Sequence, residues 1–371
     1  MSELFLITSD SKIYTDDLHN PPSFDVAAYL SINKLVGRLT CQNICDRTGY
    51  VNTPYKFKRF IPIPALPSET NALSFSDLCD DRAHELIKYS NDIGKPLLVM
   101  WSGGIDSTTL LTALIKTKSL DNIIVGMSVH SIRENPNFYY KHIRGKIKTI
   151  PSNIALSKIK NDMILVAGEG ADQLFGTDIY KKINVNIGLG VMTEPYSKTN
   201  IVSFLRSVNM TDAEADKWFF ILDDQIKHTQ LCEIKTFKDF WWWYNFCYKW
   251  QFVFFRTLIM ADQIGREYIT KDWINTNFKQ FFMTNAFQRW SMLNPNLKRV
   301  DTWTSYKIEA KKYIFEFDKN QDYFDNKVKM SSMINLIRST HSMIGGMDSN
   351  YEMLPPSFDL TPYRQMENSF V

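Results

Sequence analysis

Two short stretches carry residue types suited to phosphate and a divalent cation. The first is Ser102-Gly103-Gly104-Ile105-Asp106-Ser107-Thr108. Its glycines carry no Cβ, so backbone amides can approach a ligand closely. Ser102, Ser107 and Thr108 add hydroxyl donors. A helix starting behind this turn would aim its free N–H groups and positive dipole end at an anion. Asp106 then sits where phosphate charge collects. That placement makes sense with Mg2+ between the two, because Mg2+ takes oxygen ligands. The second stretch is Gly168-Glu169-Gly170-Ala171-Asp172-Gln173-Leu174-Phe175-Gly176, another glycine-flanked turn bearing carboxylates. No Gly-Lys-Ser/Thr follows the first pair of glycines, so the first stretch is not a Walker A loop.

The elements that must position these turns are legible from periodicity. Residues 96–101 are an apolar run of strand length, and residues 105–116 place Leu110, Leu111, Leu114 and Ile115 at helical spacing. Residues 122–129 and 163–167 read as second and third strands. One helix between the first two strands makes a βαβ unit, which implies a parallel sheet with its ligand at the carboxyl ends of the strands. Turns at those ends share one edge, so Asp106 and Asp172 are expected to face one metal–phosphate unit. The expected fold class is α/β, a doubly wound parallel sheet with a largely helical C-terminal half. Further helices are expected over 75–91, 136–144 and 211–225, the last opening on a Thr/Asp cap pattern.

The two motifs together carry a family resemblance. SGGIDST after a strand resembles the pyrophosphate loop of the ATP pyrophosphatases, and GEGADQLFG resembles the GEG-x-D-E-L-F-G signature of the synthetase domain of asparagine synthetase and its relatives. The resemblance implies an adenine nucleotide alpha hydrolase-like fold. It also implies an ATP- and Mg2+-dependent enzyme that transfers AMP to a substrate carboxylate before ammonia or an amine displaces it. By the same resemblance, Ser102, Gly103, Gly104, Asp106 and Ser107 cradle pyrophosphate, and Asp106 and Asp172 hold Mg2+. Gly168 lies near the nucleotide, Met127 contacts adenine, and Glu169 assists the attacking amine. Gln173 departs from the family's usual Glu. Two weaker matches follow. Met260-Ala261, residues 265–267 and Asp272 align in outline with M-A-x-G-L-E-x-R-x-P-F-L-D, without the proline. Residues 306–312, YKIEAKK, resemble K-x-x-L-R, which makes Lys307 the lysine that balances phosphate charge and puts Lys311 in place of the arginine. KIEAKK also reads as an ordinary amphipathic helix surface.

Composition sets the remaining bounds. The chain has 371 residues, 44% hydrophobic and 22% charged, with a net charge of +3, too small by itself to argue for nucleic acid. Cys41, Cys45, Cys79, Cys232 and Cys247 form no second pair at metal-ligand spacing, which favours free thiols in a reducing compartment. With no charged leader before an apolar core, a cytoplasmic location is expected. The linear division expected is a β-rich segment over 1–75, the synthetase-like domain over 76–330 and a tail over 331–371. The first segment is expected to hold a hairpin from residues 3–8 and 13–14, a strand near residues 56–61 with a basic face, and a proline-stiffened connector over 61–67. It is too short for a glutaminase domain, and residue 2 is Ser2 where glutamine-using relatives expose a cysteine. A separate glutaminase partner is therefore left open as the ammonia source.

The aromatic block 237–255 is interrupted by Lys249 and is too short for a membrane span. It is expected in a core, ahead of an exposed stacking platform, with Trp243 and Tyr244 as candidate pocket residues. The acceptor is expected to be a small-molecule or peptide carboxylate. Activation of a nucleobase or carbonyl oxygen on nucleic acid, ammonia-dependent NAD synthesis and a silent nucleotide-binding relative are the alternatives. The GEGADQLFG turn argues against the NAD reading, and three carboxylates around a phosphate nest argue against a mere scaffold.

Overall fold

The structure, a computed structural model, describes residues 4–6, 20, 23–36, 46–51, 61–67, 74–152, 162–254, 270–329 and 346–348. The chain divides into two compact units that interleave along the sequence. One comprises Met1–Leu66, Gly176–Asp262 and His341–Val371, and the other Pro67–Phe175 and Gln263–Thr340. Linear boundaries after residues 75 and 330, expected from the sequence, do not coincide with this division.

The second unit holds a five-stranded, all-parallel sheet. Its strands are β1 (Leu97–Met100), β2 (Ile123–Met127), β3 (Lys148–Pro151), β4 (Ile164–Ala167) and β5 (Phe278–Gln280), in spatial order β3-β2-β1-β4-β5. That is a doubly wound α/β order, as expected. β1, β2 and β4 are short apolar runs, buried almost throughout because both faces are covered. β1 pairs with β4 in the register Leu97↔Ile164, Leu98↔Leu165, Val99↔Val166, and with β2 on its other side. The chain winds outward from β1 to β3 and then restarts at β4, so the strand order reverses between β1 and β4. In open α/β sheets the ligand crevice lies at that reversal, outside the carboxyl ends.

Helices carry the sheet's edges to the site. Helix α1 (Phe75–Ile93) starts on a capping box between Ser74 and Asp77 and stops at Gly94, whose φ of 66° is the left-handed conformation that glycine adopts freely. Helix α2 (Ile105–Lys116) follows β1 and buries Leu110, Leu111 and Leu114, each worth about 1.5–3 kcal/mol relative to exposure. After β2, α3 (Val129–Glu134) opens on a second capping box, from Ser128. The expected helix over 136–144 is one α turn, Pro136–Phe138, continued by a π turn over Tyr139–Ile143. Helix α4 (Ala171–Phe175) follows β4. Later come α5 (Lys271–Asn277), α6 (Asn285–Leu293), α7 (Ile308–Asp318) and α8 (Gln321–Asn326), so the C-terminal half is largely helical. An aromatic cluster pins α1, α4 and α6 together: Phe75 lies 5.0 Å from Phe175 and 5.1 Å from Trp290, ring centre to ring centre.

In the first unit, the aromatic block forms a helix over Phe237–Tyr248, capped by Thr236 and Asp239 and buried along nearly its whole length. Trp243 and Tyr244 are at most 1% exposed, which rules out an exposed stacking platform there. The Trp243 indole donates to Gln225 Oε1 at 3.1 Å. Lys249 ends the helix on an ion pair with Asp178. The helix predicted from Thr211 runs Asp212–Thr229 on its own capping box. Leu4–Leu6 pairs antiparallel with Gly346–Asp348, a partner far along the chain that no local pattern signals. Residues 13–14 and 56–60, Met260-Ala261 and residues 265–267, and Cys41 and Cys45 lie outside the described residues. Cys79 and Cys247 are buried free thiols, as expected.

Candidate functional site

The turn after β1 is shaped by glycine chemistry. Gly103 has φ of 81°, and a Cβ there would fall 2.4 Å from the Ser131 carbonyl oxygen and 2.9 Å from Glu134 Cβ. Only glycine fits that turn without moving α3. Gly104 is the N-cap of α2 and supplies no capping side chain, so the helix's first amides are not claimed by a side chain of their own cap. The Ser102 and Ser107 hydroxyls lie 3.0 Å apart, and Ser107 Oγ accepts from the Ser102 amide at 3.1 Å. Trp101 donates from Nε1 to Thr108 Oγ1, locking the strand end onto the first turn of α2.

The second turn seats directly on the first. A Cβ on Gly168 would stand 3.3 Å from Ser107 Cα and 3.4 Å from the Asp106 carbonyl oxygen. A side chain at 168 would press on the first turn, and its absence lets the two turns pack closely. Glu169 is half-buried beside it, and Gly170, with φ of 98°, turns the chain into α4. Asp172 stands in the first turn of that helix, and Gln173 is buried on it.

The two aspartates meet at one point, and Lys307 Nζ occupies it. It lies 2.5 and 2.6 Å from the two oxygens of Asp106 and 2.7 Å from Asp172 Oδ1. Lys307 is 1% exposed and has φ of 61°, a left-handed conformation costing about 1–2 kcal/mol in a non-glycine residue. Such strain gathers at functional sites. Here it sets the lysine as N-cap of α7 with its ammonium between the carboxylates. Tyr306 OH donates to Asp172 Oδ1 at 2.9 Å.

Three contributors lacked a signature in the sequence. Lys329 pairs with Asp172 Oδ2 from the segment leaving α8. Burial pushes its ammonium down to about 8, while Asp106 and Glu169 pull the other way. Lys327 pairs with Glu134 at 2.9 Å, and Glu134 in turn underlies Gly103 and Gly104. Only the folded path of the chain brings Lys327 and Lys329 here; KVK by itself is a common surface pattern. Lys311, expected in place of an arginine, points away: its Nζ donates to the carbonyls of Thr304 at 2.9 Å and Lys327 at 3.2 Å, steadying the segment that carries Lys329. Burial brings Lys311 to about 8 as well. Met127 is the buried last residue of β2, on the same sheet edge as both turns. Asp272 stands in the first turn of α5.

The donor set fits a divalent cation in a particular way. Two carboxylates from separate turns already converge on one positive charge. No group of three His, Cys, Asp or Glu side chains among the described residues could cage a metal. A cation here would draw its other ligands from phosphate and water, as Mg2+ does. Formal charges of three carboxylates (Asp106, Glu169, Asp172) and two ammoniums (Lys307, Lys329) sum to −1, so the cluster carries room for added positive charge. Among the described residues, no helix is long and apolar enough to cross a membrane. Comparison of the chain with protein-family models, with curated proteins and with solved structures returns no match.

Proposed function

We propose that the chain is an ATP-dependent, amide-forming ligase that adenylates a carboxylate, releases pyrophosphate and passes the acyl group to ammonia or an amine. The observation that carries this reading is the meeting of Asp106 and Asp172 at one cation beside the N-terminus of α2, at the reversal of strand order. The resemblance of both turns to asparagine-synthetase motifs gives the reaction type.

In this reading the amides opening α2 and the Ser102 and Ser107 hydroxyls hold the pyrophosphate end of ATP. Charge stabilisation by preorganised donors is the largest contribution available to such a step. Mg2+ held by Asp106 and Asp172 would offset charge on the departing pyrophosphate. Lys307 and Lys329 follow that charge, swinging from carboxylate to phosphate. The carboxylate oxygen of the acceptor attacks the α-phosphorus, and the P–O bond to pyrophosphate breaks. The amine then attacks the acyl carbon, AMP leaves with its oxygen, and Glu169 takes the amine proton or orients its lone pair.

The test is ATP–pyrophosphate exchange with Mg2+ across pools of amino acids, peptides, nucleotides and oligonucleotides, with wild type beside Asp106→Ala. Exchange that depends on one pool and is lost in the variant is the expected result. Absence of both exchange and Mg-ATP binding would sink the reading.

A further inference from the structure

We infer that the exposed face formed by the π turn and the edge strand β3 binds single-stranded nucleic acid. Residues 135–161 contain no Asp or Glu, yet carry Lys141, Arg144, Lys146, Lys148, Lys158 and Lys160. These six charges exceed the +3 of the whole chain, so the rest of the sequence sums to 3 − 6 = −3. Positive charge is therefore concentrated in this stretch of the sequence, the footprint of a polyanion partner.

The described part of this stretch presents its charge outward. Lys141, Arg144, Lys146 and Lys148 are all exposed. Lys141 is engaged by Asp318, but among the described residues Arg144, Lys146 and Lys148 have no acidic partner. An exposed lysine on an edge strand can simply discourage strand addition. That accounts for Lys148 alone and not for an acid-free run of 27 positions.

Tyr140 supplies what a plain cationic patch lacks. It is 58% exposed, and the Arg144 guanidinium sits 5.4 Å from its ring centre. Tyr139 packs edge-on against it at 5.2 Å. The π turn sets this geometry on a buried Phe138 and Ile143, so the ring stays outside while the turn is anchored. An aromatic face backed by a guanidinium and flanked by cations stacks an unpaired base while the cations follow its phosphates. Bases in a duplex have no face free for that ring. The surface is distinct from the carboxylate–lysine cluster and does not depend on the ligase reading.

The test is fluorescence anisotropy of labelled oligo(U) RNA and the matched single-stranded DNA with the full chain. Heparin and phosphatidylserine vesicles serve as base-free anions. Binding to the oligonucleotide is expected to fall with salt at a log–log slope of about −0.7 per phosphate contacted. Arg144→Glu with Lys146→Glu should abolish it, and Tyr140→Ala should weaken it roughly fivefold or more. Heparin binding should drop with the charge reversal and be unaffected by Tyr140→Ala. Neither variant should alter ATP–pyrophosphate exchange with a small acceptor, which separates a failure here from a failure of the ligase reading. No oligonucleotide binding at low salt, binding that survives the charge reversal, oligonucleotide affinity indifferent to Tyr140→Ala, or vesicle binding in its place would each overturn the assignment.

Discussion

Arg47 in the first unit and Lys307 in the second are each buried to 1% exposure, and the two are held in opposite ways. Arg47 donates to the carbonyls of Ile61 at 2.7 Å, Pro62 at 3.0 Å and Phe246 at 3.0 Å, and lies 4.4 Å from the ring centre of Trp250. These three carbonyls and the indole are neutral dipoles and an aromatic face, which the planar guanidinium matches rigidly. Lys307 is held by two carboxylates, oxygen ligands of the kind a divalent cation also takes. Burial of a charge therefore does not mark function. A cation among carbonyls is a pin, and a cation among convergent carboxylates is exchangeable.

Replacing each cation by methionine tests that distinction most severely. Arg47→Met leaves three carbonyls without their donor and should cost about 3–5 kcal/mol in urea unfolding followed by tryptophan fluorescence, with no recovery on adding Mg2+. Lys307→Met should lower ATP–pyrophosphate exchange about 100-fold or more. Any loss of Tm should be recovered by Mg2+, because the carboxylates then share the metal. Recovery of both variants, or of neither, would break the comparison.

The turn glycines give a smaller effect with a built-in control. Gly103→Ala introduces both a strained φ and a collision with the Ser131 carbonyl. It should destabilise by about 2–3 kcal/mol and weaken Mg-ATP binding. Gly94→Ala meets nothing within 4 Å and should cost only about 1 kcal/mol, with nucleotide binding unchanged.

Lys311 is the intermediate case, a buried cation held by carbonyls but able to lose its proton. Its folded pKa of about 8 lies below the ordinary lysine value of 10.5. Between those values the unfolded chain binds more protons, so stability rises with pH. The slope for this group is at most about 1.4 kcal/mol per pH unit, and it should vanish in Lys311→Met. Buried tyrosines and thiols titrate in the opposite sense nearby, so the difference between wild type and variant is the quantity to follow. A difference that is flat with pH would place Lys311 with Arg47.

Strands β1, β2 and β4 and the glycine turns were legible because each is a short apolar run ending in residues with few conformational substitutes. β3 was not, since Lys148-Thr149-Ile150-Pro151 lies on the edge, is mostly exposed and shows no apolar run. β5 hides as three residues inside Phe278-Lys279-Gln280-Phe281-Phe282. At the site, the carboxylates sit inside motifs, and Lys307 stood in a weak one. Lys329 and Glu134 belong to no pattern, because their role arises from where α8 and α3 end. Lys311 aligns with an arginine position, but spacing along a helix does not say which neighbour the far end of a long side chain meets, and its ammonium meets the carbonyls of Thr304 and Lys327.

The distance in sequence between Asp106 and its lysine, 201 positions, has a consequence for synthesis. At about 5–20 residues per second, Lys307 is made roughly 10–40 s after Asp106. The βαβ core from β1 to α4 is complete in the nascent chain well before that. During this interval Asp106 and Asp172 stand without the ammonium that closes the cluster, so the site's carboxylates are made long before their lysine.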